Sequence, residues 1–410
     1  MPDHSENAEH SERTEHTEHS EHSDRTGQVS QAENAVWSEL ARVRDPEIRR
    51  PITELGMVQD VTVDAAGHAR VAIRLTIAGC PAARRIEADT LEATRSAAGV
   101  QSAEVAVGVM TPDERRAFTE RVRGDRGARQ QQFGPDSLTR VIAVTSGKGG
   151  VGKSSITTGL AVAWAAQGLT VGIVDADIFG FSIPGLMGLS REGRTEQPTR
   201  VDDMMLPPVA HGVKVISIGM FLGEADPRTT AVSWRGPMLH RTIEQFLRDV
   251  WFGDLDVLLL DLPPGTGDIA ISVGQLLPQA EVLVVTTPQE AAADVAVRSA
   301  LVARQTGQRV LGVVENMAGL PQPDGTVLEL FGAGGGALVA DRLSDDEHGP
   351  VPLLGSVPLS PTFRAGGDTG VPTVLTEPND AAAAEVLRIA RAILADGRGL
   401  AGRPLGLSPR

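Results

Sequence analysis

The octapeptide Gly147-Lys148-Gly149-Gly150-Val151-Gly152-Lys153-Ser154 follows the unbroken apolar run Val141–Val144 and leads into the helix-length segment Ile156–Gln167. A chain that leaves a buried strand and enters a helix through such a glycine-rich turn has few folds open to it. Glycine permits positive φ and close backbone approach, so successive N–H groups of the turn converge on one anion. The start of the helix adds its partial positive charge. Gly147-x4-Gly152-Lys153-Ser154 has the spacing of a phosphate-binding P-loop, in the strand-before, helix-after setting that a P-loop requires. The chain has three lysines against 35 arginines, and two of the three stand in this loop. A compact ammonium meets phosphate as a point charge, which a planar guanidinium does not. Lys153 is placed to bridge the β- and γ-phosphates of a nucleotide, and Ser154 to ligate Mg²⁺. The backbone at Gly147, Gly149, Gly150, Val151 and Gly152, continuing through Lys153, Ser154 and Ser155, is expected to surround the phosphates.

The rest of the C-terminal part follows the same logic. Short, almost wholly apolar runs recur at Val171–Val174, Val213–Ile218, Val257–Leu260, Val282–Val285 and Val310–Val314, with a weaker one at Leu353–Val357. Continuous apolar runs suit parallel strands buried on both faces. Helix-length segments such as Met238–Val250 and Ala291–Gln305 separate most of them. This alternation predicts an α/β domain with a doubly wound, mostly parallel sheet over residues 138–396.

Ligands of such sheets bind at the C-terminal ends of the strands, so acids there are candidates for chemistry. Asp175 and Asp177 end one run; one carboxylate would orient an attacking water and the other hold Mg²⁺ through water. Leu258-Leu259-Leu260-Asp261 has the Walker B pattern, and Asp261 joins Ser154 as an expected magnesium ligand. In the following Pro263-Pro264-Gly265-Thr266-Gly267-Asp268, Gly265 is placed to offer its N–H to the γ-phosphate as a switch loop does. Asp268 suits a cap on the next helix.

Residues 31–115 read as a small α+β domain. Val36, Trp37 and Leu40 fall on one face of a helix over Ala32–Val43. Val58–Val63 and Ala69–Leu75 alternate as half-buried strands around the turn Ala65–His68. A helix is expected after Pro81, and Ala103–Val107 closes the sheet. The charged, glutamine-rich residues 116–137 read as a helical or flexible linker. Residues 1–30, with the rhythm Thr14-Glu15-His16, Thr17-Glu18-His19, Ser20-Glu21-His22, hold too little apolar surface to offset chain entropy and are expected to be disordered. Residues 397–410 form a glycine- and proline-rich tail.

A net charge of −15 argues against non-specific nucleic-acid binding. No apolar run approaches the roughly 18 residues of a membrane span. The first 30 residues hold no apolar signal segment, so the expected compartment is the cytoplasm. Cys80 is the one cysteine, which excludes an intramolecular disulfide and a cysteine-cluster site built by one chain. Gly79 and Pro81 suggest a strand-to-helix turn, where a helix N-terminus would lower the thiol pKa and make it reactive.

Lys148 has no task in an isolated P-loop. With it, the loop resembles the deviant Walker A of the MinD/Mrp/nitrogenase-iron-protein class. The resemblance implies that Lys148 reaches the partner's nucleotide across an ATP-dependent sandwich homodimer, acting in the manner of an arginine finger. Asp175-Ala176-Asp177-Ile178-Phe179-Gly180-Phe181-Ser182-Ile183-Pro184 is similar to a stretch of the Mrp (ApbC) family. So are Trp234-Arg235-Gly236-Pro237-Met238, Asp261–Asp268 and Phe331-Gly332-Ala333-Gly334-Gly335-Gly336. Asp45-Pro46-Glu47, Leu55-Gly56-Met57-Val58 and Gly79-Cys80-Pro81 resemble the SufT/PaaD-like domain often fused to Mrp.

The resemblance implies a Mg²⁺-dependent ATPase that delivers iron–sulfur clusters to apo-proteins, alongside cluster-assembly factors. Asp177 would orient the water, and Asn316, in Glu315-Asn316-Met317, would hydrogen-bond adenine. The chain departs from the family at Glu315–Gly325, where the usual Cys-x-x-Cys is missing, so no cluster is expected there. Cys80 is then the one candidate thiolate. Either two copies in a dimer hold a [2Fe–2S] cluster with other ligands, or the thiol is simply buried or redox-active. Two other functions compete. A MinD- or ParA-like positioning ATPase would need a membrane-anchoring helix or DNA affinity, but residues 381–396 lack bulky anchors. An ATP-ordered scaffold would bind no cluster itself.

Overall fold

The computed structural model describes residues 31–124, 132–134, 136–178, 180–191, 193–221 and 236–396. The two tails, residues 125–131 and 135 of the expected linker, and Phe179, Trp234 and Arg235 of the family motifs lie outside the described residues. Two compact units divide the chain: Met1–Ala128 with Thr199–Met204, and Arg129–Pro198 with Met205–Arg410.

In the small unit, a helix over residues 31–40 buries Ala32, Val36 and Leu40. Trp37, expected on that face, is 39% exposed. Residues 32, 36, 40 and 43 follow the i, i+4 and i, i+3 steps of one stripe, and position 37 falls on its flank. Val58–Val63 and His68–Leu75 pair antiparallel. The Asp64 carboxylate shapes their turn by accepting the N–H groups of Ala66 and His68. Ser102–Val109 pairs parallel with His68–Leu75. A parallel neighbour needs a crossover, and the helix Ala83–Ser96 provides it.

The unit runs past the expected limit at residue 115. Thr111 and Glu114 form a capping box, with Pro112 in the first turn, and start the helix Pro112–Arg123. That helix buries Phe118 and Val122, one turn apart, and leaves its charged residues exposed or half-buried. Thr199–Met204 also belongs here, although its sequence lies far downstream. The Thr199 hydroxyl donates to the buried Glu47 carboxylate at 2.8 Å. Asp203 pairs with Arg123 at 2.9 Å, and Asp202 with Arg115 at 3.7 Å.

The large unit is built on an eight-stranded sheet. Its parallel strands stand in the order Val213–Ser217, Val171–Asp175, Val257–Asp261, Arg140–Ser146, Glu281–Thr286, Arg309–Asn316, Leu353–Val357, and antiparallel Val209–Ala210 closes one edge. Each apolar run read as a strand is one. Arg140–Ser146 and Val257–Asp261 are buried along their whole length. The chain first winds outward from Arg140–Ser146 to one side. Val257–Asp261 then fills the gap beside it, and Glu281–Thr286 takes the other side. The crevice of a doubly wound sheet opens at such a reversal. No described helix is long and apolar enough to cross a membrane.

Candidate functional site

The loop leaves Arg140–Ser146 at the reversal. Gly150 and Gly152 have φ of 80° and 82°, in the left-handed region that favours glycine. Gly147 meets the backbone of the neighbouring helix, and a Cβ there would lie 2.4 Å from the Ala296 nitrogen. Gly152 precedes the helix Lys153–Ala166, whose N-cap receives no side-chain hydrogen bond. Its first N–H groups are therefore available to a ligand.

Sheet register sets the acids. Asp261 stands opposite Asp175 on one neighbouring strand and Val144 on the other. Lys153 is buried, with Nζ 2.5 Å from Asp261 Oδ2 and 3.8 Å from the Asp177 carboxylate. Ser154 Oγ donates to Asp261 Oδ2 at 2.6 Å, and Thr157 Oγ1 to Asp261 Oδ1 at 2.8 Å. Thr157 was not singled out from the sequence. Its position one helical turn after Lys153 puts it on the same face and was the available signal.

Asp175 is displaced from its expected catalytic place. It lies fully buried behind the site, accepting Ser217 Oγ at 2.9 Å and the Asp177 N–H at 3.2 Å. Burial, and then the charge of Asp261, push its pKa up to about 8 against the pull of Lys153. Asp175 therefore tends to keep its proton at neutral pH. Asp177 faces the cavity, and its Oδ1 accepts the Gly180 N–H at 3.0 Å.

The cavity, about 610 Å³, is lined by the loop from Lys148 to Ser155 together with Asp177, Pro264 and Asp268. Asp268 does not cap its helix: Gly267 holds the cap position, without a side-chain bond. The Gly265 N–H does not face the cavity either. It donates to the Ser146 carbonyl at 2.8 Å, and its own carbonyl accepts Ser299 Oγ at 3.0 Å. A backbone amide needs an acceptor, and here the strand that leads into the phosphate loop provides it. Lys148 is exposed, and no described residue pairs with its ammonium.

A second cavity of about 440 Å³ begins at Gly152 and Ser155. Leu186, Leu320, Leu359, Phe363 and Val374 give it apolar walls, and Asn316 lines it too. The Asn316 amide nitrogen donates to the Val151 carbonyl at 2.9 Å, so the residue braces the loop as well. Its neighbour Met317 holds φ of 61°, a strained angle for a non-glycine residue.

Cys80, in the small unit, differs from expectation. It is buried, and its pKa is raised to about 11, chiefly by burial and next by Glu47. The backbone N–H groups of Ala82 and Ala83 pull the other way and are outweighed. No group of three His, Cys, Asp or Glu among the described residues is arranged to hold a metal ion. The segment that replaces the family's Cys-x-x-Cys is a small hairpin, Leu320–Pro321 against Val327–Leu328.

Two family models match the sequence. One, described as NUBPL iron-transfer P-loop NTPase, spans residues 137–394, and one described as iron-sulfur cluster assembly protein spans residues 33–107. An iron-sulfur cluster carrier protein of Mycobacterium tuberculosis is 54% identical over 376 residues, covering 92% of this chain and 96% of its own. A protein of the same description from Synechocystis is 38% identical over 362 residues, covering 88% and 96%. Among solved structures, a nucleotide-binding protein from Archaeoglobus fulgidus in complex with ADP is 37% identical. It covers 56% of this chain and 86% of its own, with a TM-score of 0.47.

Proposed function

This chain belongs to the family of NUBPL iron-transfer P-loop NTPases, and on that premise we propose that it hydrolyses ATP and carries iron–sulfur clusters to apo-proteins in the cytoplasm, as a homodimer closed across the nucleotide. The observation that carries the ATPase reading is the convergence of Lys153, Ser154 and Thr157 on Asp261, with Asp177 facing the same cavity.

Each residue then has a task. The loop N–H groups hold the phosphates. Lys153, neutralised by Asp261 in the free protein, swings its ammonium to the β- and γ-phosphates. The oxygen donors fit a magnesium ion: Ser154 and Asp261 would hold it, and when bound it would neutralise charge on the transferring phosphoryl group. Asp177, the carboxylate beside Lys153 in the cavity, orients the water. Gly265 exchanges its bond to Ser146 for one to the terminal phosphate. The base enters the second cavity beside Asn316. Lys148 acts on the partner's nucleotide. Asp177→Ala should bind nucleotide and lose at least about tenfold in phosphate release, or ~1.4 kcal/mol of transition-state stabilisation. Turnover at the wild-type rate would overturn the assignment.

Two observations favour a second reading. Cys80 is buried with a raised pKa, and the hairpin at Leu320–Leu328 has no thiolate. Soft thiolates are the usual cluster ligands. In this reading ATP orders a scaffold, and other proteins hold the cluster. Anaerobic reconstitution of wild type and Cys80→Ala, read by iron and sulfide content, separates the two. Equal, low iron in both favours the scaffold; iron lost only in the variant favours a carrier that works through Cys80.

A further inference from the structure

The phosphate cavity and the second cavity share a wall besides the loop itself. Gly180 and Ser182 line the first, and Leu186, on the short helix Ile183–Leu186, lines the second. The segment Gly180–Gly188 is held at both ends. At one end the Gly180 N–H is bonded to Asp177, whose carboxylate also lies 3.8 Å from Lys153. At the other end Gly188 packs backbone to backbone on Gly370. A Cβ at Gly188 would lie 2.9 Å from the Gly370 oxygen, and one at Gly370 would lie 2.4 Å from the Gly188 Cα.

Gly370 ends the helix Pro361–Thr369, which lends Phe363, Arg364, Gly367 and Asp368 to the second cavity. His211 Nε2 hydrogen-bonds the Gly370 carbonyl at 3.0 Å and fixes the same point. Leu186 also sits against this helix: a Cβ at Gly367 would lie 2.9 Å from Leu186 Cδ2. Next to Gly180, the Phe181 ring leaves no room for a side chain at Gly219, where a Cβ would fall 2.4 Å from its Cδ2. The segment is thus held at both ends, one beside each cavity.

We propose that Gly180–Gly188 is a strut that relays the presence of a terminal phosphate to the second cavity, so that triphosphate and diphosphate are told apart partly at the Gly188–Gly370 contact. The inference rests on the reading of the two cavities as one nucleotide site. The physical cause is competition for Lys153. A terminal phosphate draws its ammonium away from Asp177, the Asp177 carboxylate re-forms its contacts, and Gly180 moves with it. Because packed glycine backbones leave no slack, the displacement reaches Gly370 and the wall it ends. By linkage, what the wall does for the base must depend on the terminal phosphate.

The test is binding of ADP and of a non-hydrolysable ATP analogue, each with Mg²⁺, to the full-length protein by calorimetry. Gly188→Ala and Gly370→Ala should change the triphosphate-to-diphosphate affinity ratio by about fivefold or more. Gly193→Ala is the control, since Gly193 has φ of 77° with nothing within 4 Å of an added Cβ. It imposes similar backbone strain and should leave the ratio unchanged. Leu186→Ala adds no strain, removes the side chain that reaches the second cavity, and should shift the ratio in the same sense. It keeps the test open if a glycine variant fails to fold. A ratio within twofold of wild type in the variants that bind would overturn the strut. Wild type binding neither nucleotide would instead overturn the reading of the cavities.

Discussion

At the scale of single residues, motif spacing foretold which side chains meet, but not what they are already bonded to. The meeting of Lys153, Ser154 and Asp261 follows from a P-loop helix beside a strand ending in an acid. The Gly265 N–H and the Asn316 amide were assigned to a ligand, yet Ser146 and Val151 hold them. Cys80 shows the same limit. Its pKa is raised first by burial and then by the charges of Glu47 and Asp45, which lie upstream in the chain and reach it only through the fold. Asp175 yields a prediction about pH. Its carboxyl titrates at about 8 in the folded protein against 3.8 for an ordinary aspartate. Between those values the folded state keeps a proton that the unfolded chain has released. The contribution of this group to stability is therefore fully present below about pH 4 and is lost as pH rises toward the folded value, by at most ~1.4 kcal/mol per unit. Asp175→Asn should remove that slope. Urea unfolding at pH 5 and pH 9 should show a smaller loss for the variant than for wild type, and equal losses would refute the account.

At the scale of elements, continuous apolar runs were enough to find every long strand of the large unit, because strands buried on both faces have no polar face to confuse them. Segments of two or three residues were invisible. Ser190–Arg191, Arg194–Thr195 and Thr199–Val201 are too short to show any periodicity. The helix Pro112–Arg123 straddles the expected boundary at residue 115, and its later part falls in the segment read as a helical or flexible linker, because its charges outnumber its buried residues; its capping box was the legible sign that it is one element. The join between loop and helix gives the next prediction. At Gly152 a Cβ would meet both a φ of 82° and Asn316 Nδ2 at 2.2 Å. Gly152→Ala should cost about 1–3 kcal/mol of stability from backbone strain, seen as a lower melting temperature. It should also weaken nucleotide binding by at least about tenfold, or ~1.4 kcal/mol, because the Asn316 brace to Val151 is lost with the loop's shape. Wild-type affinity in a fluorescent-nucleotide titration would contradict it.

At the scale of the whole molecule, Lys148 is the residue whose proposed work lies outside its own chain; it is exposed, and no described residue pairs with its ammonium. Lys148→Ala should keep nucleotide affinity within about twofold, since less than ~0.4 kcal/mol is at stake, yet abolish both turnover and nucleotide-induced dimerisation. Light scattering with a non-hydrolysable analogue measures the second. A variant that still dimerised and hydrolysed ATP would leave the lysine without a role in trans. The make-up of the small unit bears on inheritance. A recombination that moved residues 31–124 into another gene would carry Glu47 without Thr199, and Arg115 and Arg123 without Asp202 and Asp203. The buried carboxylate would lose its Thr199 donor, and two ion pairs would be broken. A graft of the small unit is therefore complete only if Thr199–Met204, written inside the sequence of the larger unit, travels with it.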